Sequence, residues 1–129
     1  MGDFDVVVGA GSLRDGGGGV SFPHRWTAEG VSVDAAFTGA HLLHLAAAGC
    51  VLNDVYREAE RLGMSIRGVR VTASGGFDPD SWQSTGISYA VDIDSAAAPD
   101  AVDILLDVVD SVAEIPKAIR AGGTVERVS

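Results

Sequence analysis

The stretch from Gly39 to Leu62 constrains this chain more than any other. Thr38 is a good N-cap residue and Gly63 a stop signal, so one long helix is predicted between them. Its first half (Ala40, Leu42, Leu43, Leu45, Ala46–Ala48, Cys50–Leu52) is apolar nearly all round, and such a helix is buried on every side. Its second half places Asp54, Arg57, Glu58, Glu60 and Arg61 on one face, which is expected to emerge into solvent. Asp54–Arg57 is a favourable helical pair and Arg57–Arg61 an unfavourable one. The remaining residues must wrap this helix. A chain of 129 residues does so as a single domain (1–129), long enough to bury roughly two-thirds of its unfolded surface.

The wrapping elements read as strands. Phe4–Ala10 is valine-rich, and a glycine-rich turn from Gly9 to Gly19 follows it. Val20–Ala36 alternates and holds two short strands around Pro23 and Gly30, giving an antiparallel meander. Beyond the helix, Met64–Phe77 and Trp82–Ile93 alternate around Asp78-Pro79-Asp80 as a hairpin, with a phase slip at Gly68 that suggests a bulge. Asp100–Val112 is an amphipathic helix with Ala101, Ile104, Leu105, Val108 and Val112 on its apolar face. Pro116 ends it or starts a short helix through Arg120, and Thr124–Val128 reads as a last strand. Strands grouped beside helices make the fold class α+β.

Several functions are excluded early. A net charge of −9 argues against nucleic acid and anionic membrane as partners, since both select clustered Lys and Arg. The apolar run Ala40–Leu52 is too short to span a bilayer. The start lacks a basic n-region and apolar h-region, and Val6 stands where a Met1-Gly2 myristoylation motif needs Ser or Thr, so a soluble, cytoplasmic protein is expected. The glycine run lacks the Gly-Lys-Ser/Thr of a phosphate loop, and no Gly-x-Ser-x-Gly elbow is present. No cofactor is expected.

Cys50 and three histidines remain as candidate chemistry. One cysteine makes no intramolecular disulfide. Mid-helix among alanines it reads first as a small core residue. A reactive thiol needs a cation or other thiolate-stabilising group, and the nearest cation in sequence, Arg57, lies about two turns away. His41 and His44 share a helix face, and His24 lies in the preceding loop. They could ligate a metal with a third partner, but no Asp, Glu or Cys repeats at ligand spacing, so no metal site is expected. Imidazoles titrate near neutral pH, which suits them to acid–base work.

Leu42-Leu43-His44-Leu45-Ala46-Ala47-Ala48-Gly49-Cys50, followed by Asp54-Val55 and Arg61-Leu62-Gly63-Met64, resembles the cysteine helix of the OsmC/Ohr family. The resemblance implies an antiparallel sheet wrapping a long buried central helix in an intertwined homodimer. It implies an interface site where the helix cysteine attacks an organic hydroperoxide, becomes a sulfenic acid and is resolved by a second cysteine. Cys50 matches the attacking cysteine. Arg14-Asp15-Gly16 is similar to the family's Arg-Asp-Gly, which makes Arg14 the counterpart of its functional arginine. The family's Cys-Pro-x-x-x-x-Leu-Arg stretch resembles Ala113–Arg120, with Ala113 or Ile115 where the second cysteine would stand. The glutamate at the helix start is missing too, since Gly39-Ala40 occupies its place.

The usual two-cysteine cycle therefore cannot run inside one chain, and an oxidised Cys50 would need an external thiol reductant. The residues expected to act are Cys50, Arg14, His41 and His44, with His24, Trp26, Phe37 and Leu43 lining a site for an apolar or peroxide-type small molecule. Two alternatives stand beside a one-cysteine reductase: the same pocket reused for histidine acid–base chemistry, and a non-catalytic dimer that binds a small ligand.

Overall fold

The computed structural model describes residues 4–129, so the Met1-Gly2 reading lies outside the described residues. The elements are β1 (Val6–Gly11), β2 (Val20–Phe22), β3 (Val31–Asp34), α1 (Gly39–Arg61), β4 (Gly68–Phe77), β5 (Ser84–Asp94), α2 (Pro99–Val112) and α3 (Glu114–Ala121). The strands form one antiparallel sheet in the order β2-β3-β1-β4-β5. This α+β arrangement, with a long helix against one face of an antiparallel sheet, is the expected one.

Helix α1 begins and ends where its signals lie. The Thr38 hydroxyl accepts the His41 backbone N–H, and Gly63 takes the left-handed conformation (φ 73°) just past the last turn. Thr38→Ala is expected to cost about 0.5–2 kcal/mol, the usual worth of an N-cap, as measured by chemical denaturation.

The core lies between α1 and one sheet face. Val6, Val8 and Ala10 of β1 and Val69, Val71 and Ala73 of β4 point inward, because alternate strand residues share a face. They meet Ala48, Val51, Leu52 and Val55 of α1. Helix α2 closes the far side through Leu105 and Val109. Its buried stripe is narrower than expected: Ile104 stays 60% exposed, because α2 rests on α1 rather than on the sheet.

Four local expectations change. The first strands are not a simple meander, since β3 pairs with β1 and pushes β2 to the edge. The long glycine-rich connection makes that crossing possible, folding back across the outer sheet face, where the Asp15 N–H donates to Ser32 Oγ at 2.9 Å. A β-carbon at Gly9 would lie 2.4 Å from the Leu13 carbonyl oxygen, so this crossing needs a glycine there. The hairpin irregularity falls between Gly75 and Phe77, and Gly68 keeps its pairing with Asp94. Thr124–Val128 is not a strand: it has no pairing partner among the described residues, and Val125 and Val128 lie exposed.

The fourth change concerns α1 itself. Leu42 and Ala46 are exposed, so the apolar first half is not buried on every side of a single chain. In the charged second half, Asp54 is only 3% and Glu58 7% exposed. Sequence spacing puts those residues on a common side, but α2 and α3 cover part of that side.

Candidate functional site

Cys50 is 8% exposed and faces the start of α3. The extended Ala113 leads into that helix, so its first N–H groups have no helical carbonyl to bond. The backbone N–H groups of Ile115 and Glu114 lie beside the Cys50 sulfur and favour a thiolate. Burial outweighs them. It pushes the thiol above its ordinary range, and the nearby carboxylates of Asp54 and Glu114 push the same way. Cys50 is therefore a thiol at neutral pH.

Asp54 sits one turn further along the same face of α1. Burial pushes its carboxyl upward, against the pull of Arg57. Arg57 Nη2 stands 3.1 Å from Asp54 Oδ2, yet that oxygen is buried and makes no hydrogen bond among the described residues. Glu58 is held differently. Arg61 Nε donates to it at 2.8 Å and Arg57 Nε at 3.3 Å, and these bonds, Arg61 first, keep its carboxyl below the usual range.

The histidines separate into two places. His44 is fully buried beside the rings of Phe4 and Phe77. Its Nδ1–H donates to the Phe4 carbonyl at 2.8 Å, which leaves Nε2 without a partner among the described residues. His41 rests edge-on against Phe4, with Nδ1 2.6 Å from the Thr38 hydroxyl. His24 lies elsewhere, bonded through both ring nitrogens to Thr27 (2.8 Å) and Asn53 (3.0 Å) and packed on Trp26 and Tyr56. Among the described residues, no group of three or more His, Cys, Asp or Glu side chains is placed to hold a metal ion.

His24 and Trp26 line a mainly apolar cavity of about 310 Å³ under the β2–β3 connection, with Phe22, Val31, Leu45 and Leu52. Phe37 and Leu43 do not line it: Phe37 projects 90% exposed before α1, and Leu43 is half-buried on α1. Cys50 does not line it either, although its neighbour Gly49 does. Arg14 lies on the outer sheet face, beside Val7, Gly9 and Arg70, and Arg14 Nη2 donates to Ser21 Oγ at 3.1 Å. Since α1 is on the inner face, one chain does not bring Arg14 and Cys50 together.

A family model described as OsmC-like protein matches residues 32–127, a span that holds α1, the hairpin and both later helices. The chain belongs to the OsmC-like family. Two solved structures share its fold. One is a proposed organic hydroperoxide resistance protein of Vibrio cholerae O1 biovar eltor str. N16961, with captopril bound in one of its active sites. It is 22% identical, with a TM-score of 0.55, over 67% of this chain and 60% of that one. The other is an OsmC-like hydroperoxide resistance protein of Jannaschia sp. CCS1, 12% identical, with a TM-score of 0.57, over 98% of this chain and 93% of that one. No curated protein matches the sequence.

Among the described residues of this OsmC-like protein, no helix is long and apolar enough to cross a membrane. Of the two places left open for the family's second cysteine, Ile115 is the one whose backbone meets Cys50, immediately before Pro116. The sequence reading missed Asp54 as a neighbour of Cys50. Its signal was the spacing of four residues, read there only as a charge pair with Arg57.

Proposed function

We propose that this OsmC-like protein is a one-cysteine, thiol-dependent reductase of organic hydroperoxides or related apolar electrophiles. The observation that carries this reading is the position of Cys50 on α1 against the start of α3, with the backbone N–H groups of Ile115 and Glu114 beside its sulfur. Those donors suit an attacking thiolate and the sulfenate that follows. The sulfur attacks the terminal peroxide oxygen, the O–O bond breaks, and an alcohol leaves. With Ile115 in place of a second cysteine, an external thiol of a reducing compartment such as the cytoplasm then restores Cys50.

The working unit in this reading is a homodimer. Phe22 is 51% and Leu42 38% exposed beside the open side of α1, an apolar face that suits a second copy. Any arginine contribution is then that of Arg14 of the partner subunit, since Arg14 does not meet Cys50 of its own chain.

The test is to expose the protein to cumene hydroperoxide, trap sulfenic acid with dimedone and locate the adduct by mass spectrometry, with Cys50→Ser as the blank. The expected result is a stoichiometric adduct at Cys50, on a particle of dimer mass by light scattering. An unmodified Cys50 after excess hydroperoxide would overturn the reductase, and a monomer mass would overturn the dimer.

The cavity beside His24 and Trp26 favours a second reading, that of a small-ligand-binding protein. A co-purifying apolar ligand together with an inert Cys50 would favour it. Histidine acid–base chemistry has less support: His24 has both nitrogens bonded, and the open nitrogen of His44 is fully buried.

A further inference from the structure

A thiol above its ordinary range, buried among carboxylates, is a poor nucleophile unless something takes its proton. Helix α1 has no acidic residue in its first turn, so no carboxylate reaches the site from there. Asp54 meets the need. It follows Cys50 by four residues, which puts the two β-carbons roughly 5–6 Å apart on one helix face. At that spacing the proton would pass between the two side chains directly or through one peroxide oxygen or water.

The remaining groups around Cys50 do not compete. Glu58 is tied by Arg57 and Arg61, the Glu114 side chain is exposed, and Arg57 has no proton to exchange near neutral pH. Asp54 shares Arg57 with Glu58 through a single ion pair, Arg57 Nη2 to Asp54 Oδ2 at 3.1 Å, but it lacks the second arginine, and its buried Oδ2 accepts no hydrogen bond of good geometry among the described residues.

We propose that Asp54 is the proton-transfer residue of the Cys50 reaction, taking the thiol proton and returning it to the departing alkoxide. This rests on the reductase reading above. The Cys50 S–H proton passes to the Asp54 carboxylate, and the sulfur attacks the terminal oxygen of ROOH. The S–O bond forms as the O–O bond breaks, so sulfur loses two electrons and the peroxide gains them. The proton held by Asp54 goes to RO⁻, giving ROH and Cys50–SOH. The N–H groups of Ile115 and Glu114 hold the charge on sulfur between the two transfers.

The test compares two reactions of Cys50 across pH 7–9. Alkylation by iodoacetamide needs only thiolate, because iodide leaves without a proton. Oxidation by cumene hydroperoxide needs a proton for the alkoxide as well. The reactive form in this scheme is an Asp54 carboxylate beside a Cys50 thiol, so native oxidation is expected to change less than about threefold while alkylation climbs steeply, by up to about tenfold per pH unit. Asp54→Asn should slow oxidation at pH 7 about a hundredfold and make its profile as steep as that of alkylation, while alkylation is unchanged or faster. Asp54→Glu should recover part of the loss. If Asn at position 54 prevents folding, the two native profiles decide by themselves. Equally steep native profiles, or equal changes of both reactions in the Asn variant, would overturn Asp54 as the proton carrier and leave the reductase standing. No oxidation of native Cys50 would overturn both.

Discussion

Iodoacetamide is expected to alkylate Cys50 steadily faster as pH rises from roughly 7 to 9, by close to tenfold per unit near neutrality and without levelling at the ordinary thiol pKa of about 8.5. The sign follows from the surroundings of the sulfur. Burial raises the thiol, Asp54 and Glu114 add to that, and the N–H groups of α3 only partly offset them. The reactive form is the thiolate. Well below the pKa its fraction grows tenfold per unit, with no plateau near neutrality. A free cysteine would start to level near its ordinary pKa of about 8.5, and a cation-activated one well before that. A plateau beginning below pH 7 would mean that a cation reaches Cys50 in the assembled protein, and Arg14 of the partner subunit would be the residue to replace next. The expected steep profile describes a cysteine at rest, protected from casual oxidants and dependent on proton transfer to react.

How much of this was legible in the sequence depends on the range of the interactions involved. Helix α1 was readable to within a residue because Thr38, Gly63 and the apolar run act locally. The β4–β5 hairpin was readable for the same reason, and Trp82 was misplaced in it only because it takes the turn position just before β5, with φ 66°. The pairing of β3 with β1 was not readable, since it depends on how the glycine-rich connection crosses the sheet. The site divides in the same way. The prominence of Cys50 came from its local context, and the closeness of His24 to Trp26 from their adjacency in one loop. The separation of Arg14 from Cys50 and the arrival of Ile115 at the sulfur are tertiary facts. Asp54 was hidden for a different reason. A charged residue on a half-charged helix reads as solvated, and only the packing of α2 and α3 on α1 shows that it is not.

That packing is also where the fold is expected to be most sensitive. Leu105→Ala should destabilise the protein by about 2–5 kcal/mol, the usual range for a buried leucine whose cavity cannot fully collapse. Leu105 is completely buried and, with Val109 and Ala113, anchors α2 on α1. One further tie holds this part of the structure: Asp110 accepts from the Tyr89 hydroxyl of β5 and from Arg120 Nη2 of α3 at 3.0 Å. This exposed cluster cannot replace a core contact, because surface ion pairs contribute at most about 1 kcal/mol. Ile104→Ala one residue away is the control, with an expected change within about 0.5 kcal/mol for a 60% exposed side chain. Chemical denaturation of both variants measures the difference, and a loss below about 1 kcal/mol for Leu105→Ala would mean that α2 is not anchored as described. The chemistry should follow the fold. Helix α3 hangs from α2 through Ala113, so loosening α2 withdraws both the cover and the N–H donors from Cys50. Cover is the larger influence on that thiol, so its removal outweighs the lost donors. Alkylation of Cys50 at pH 7 should therefore be faster in Leu105→Ala than in the native protein, and should stay at the native rate in Ile104→Ala.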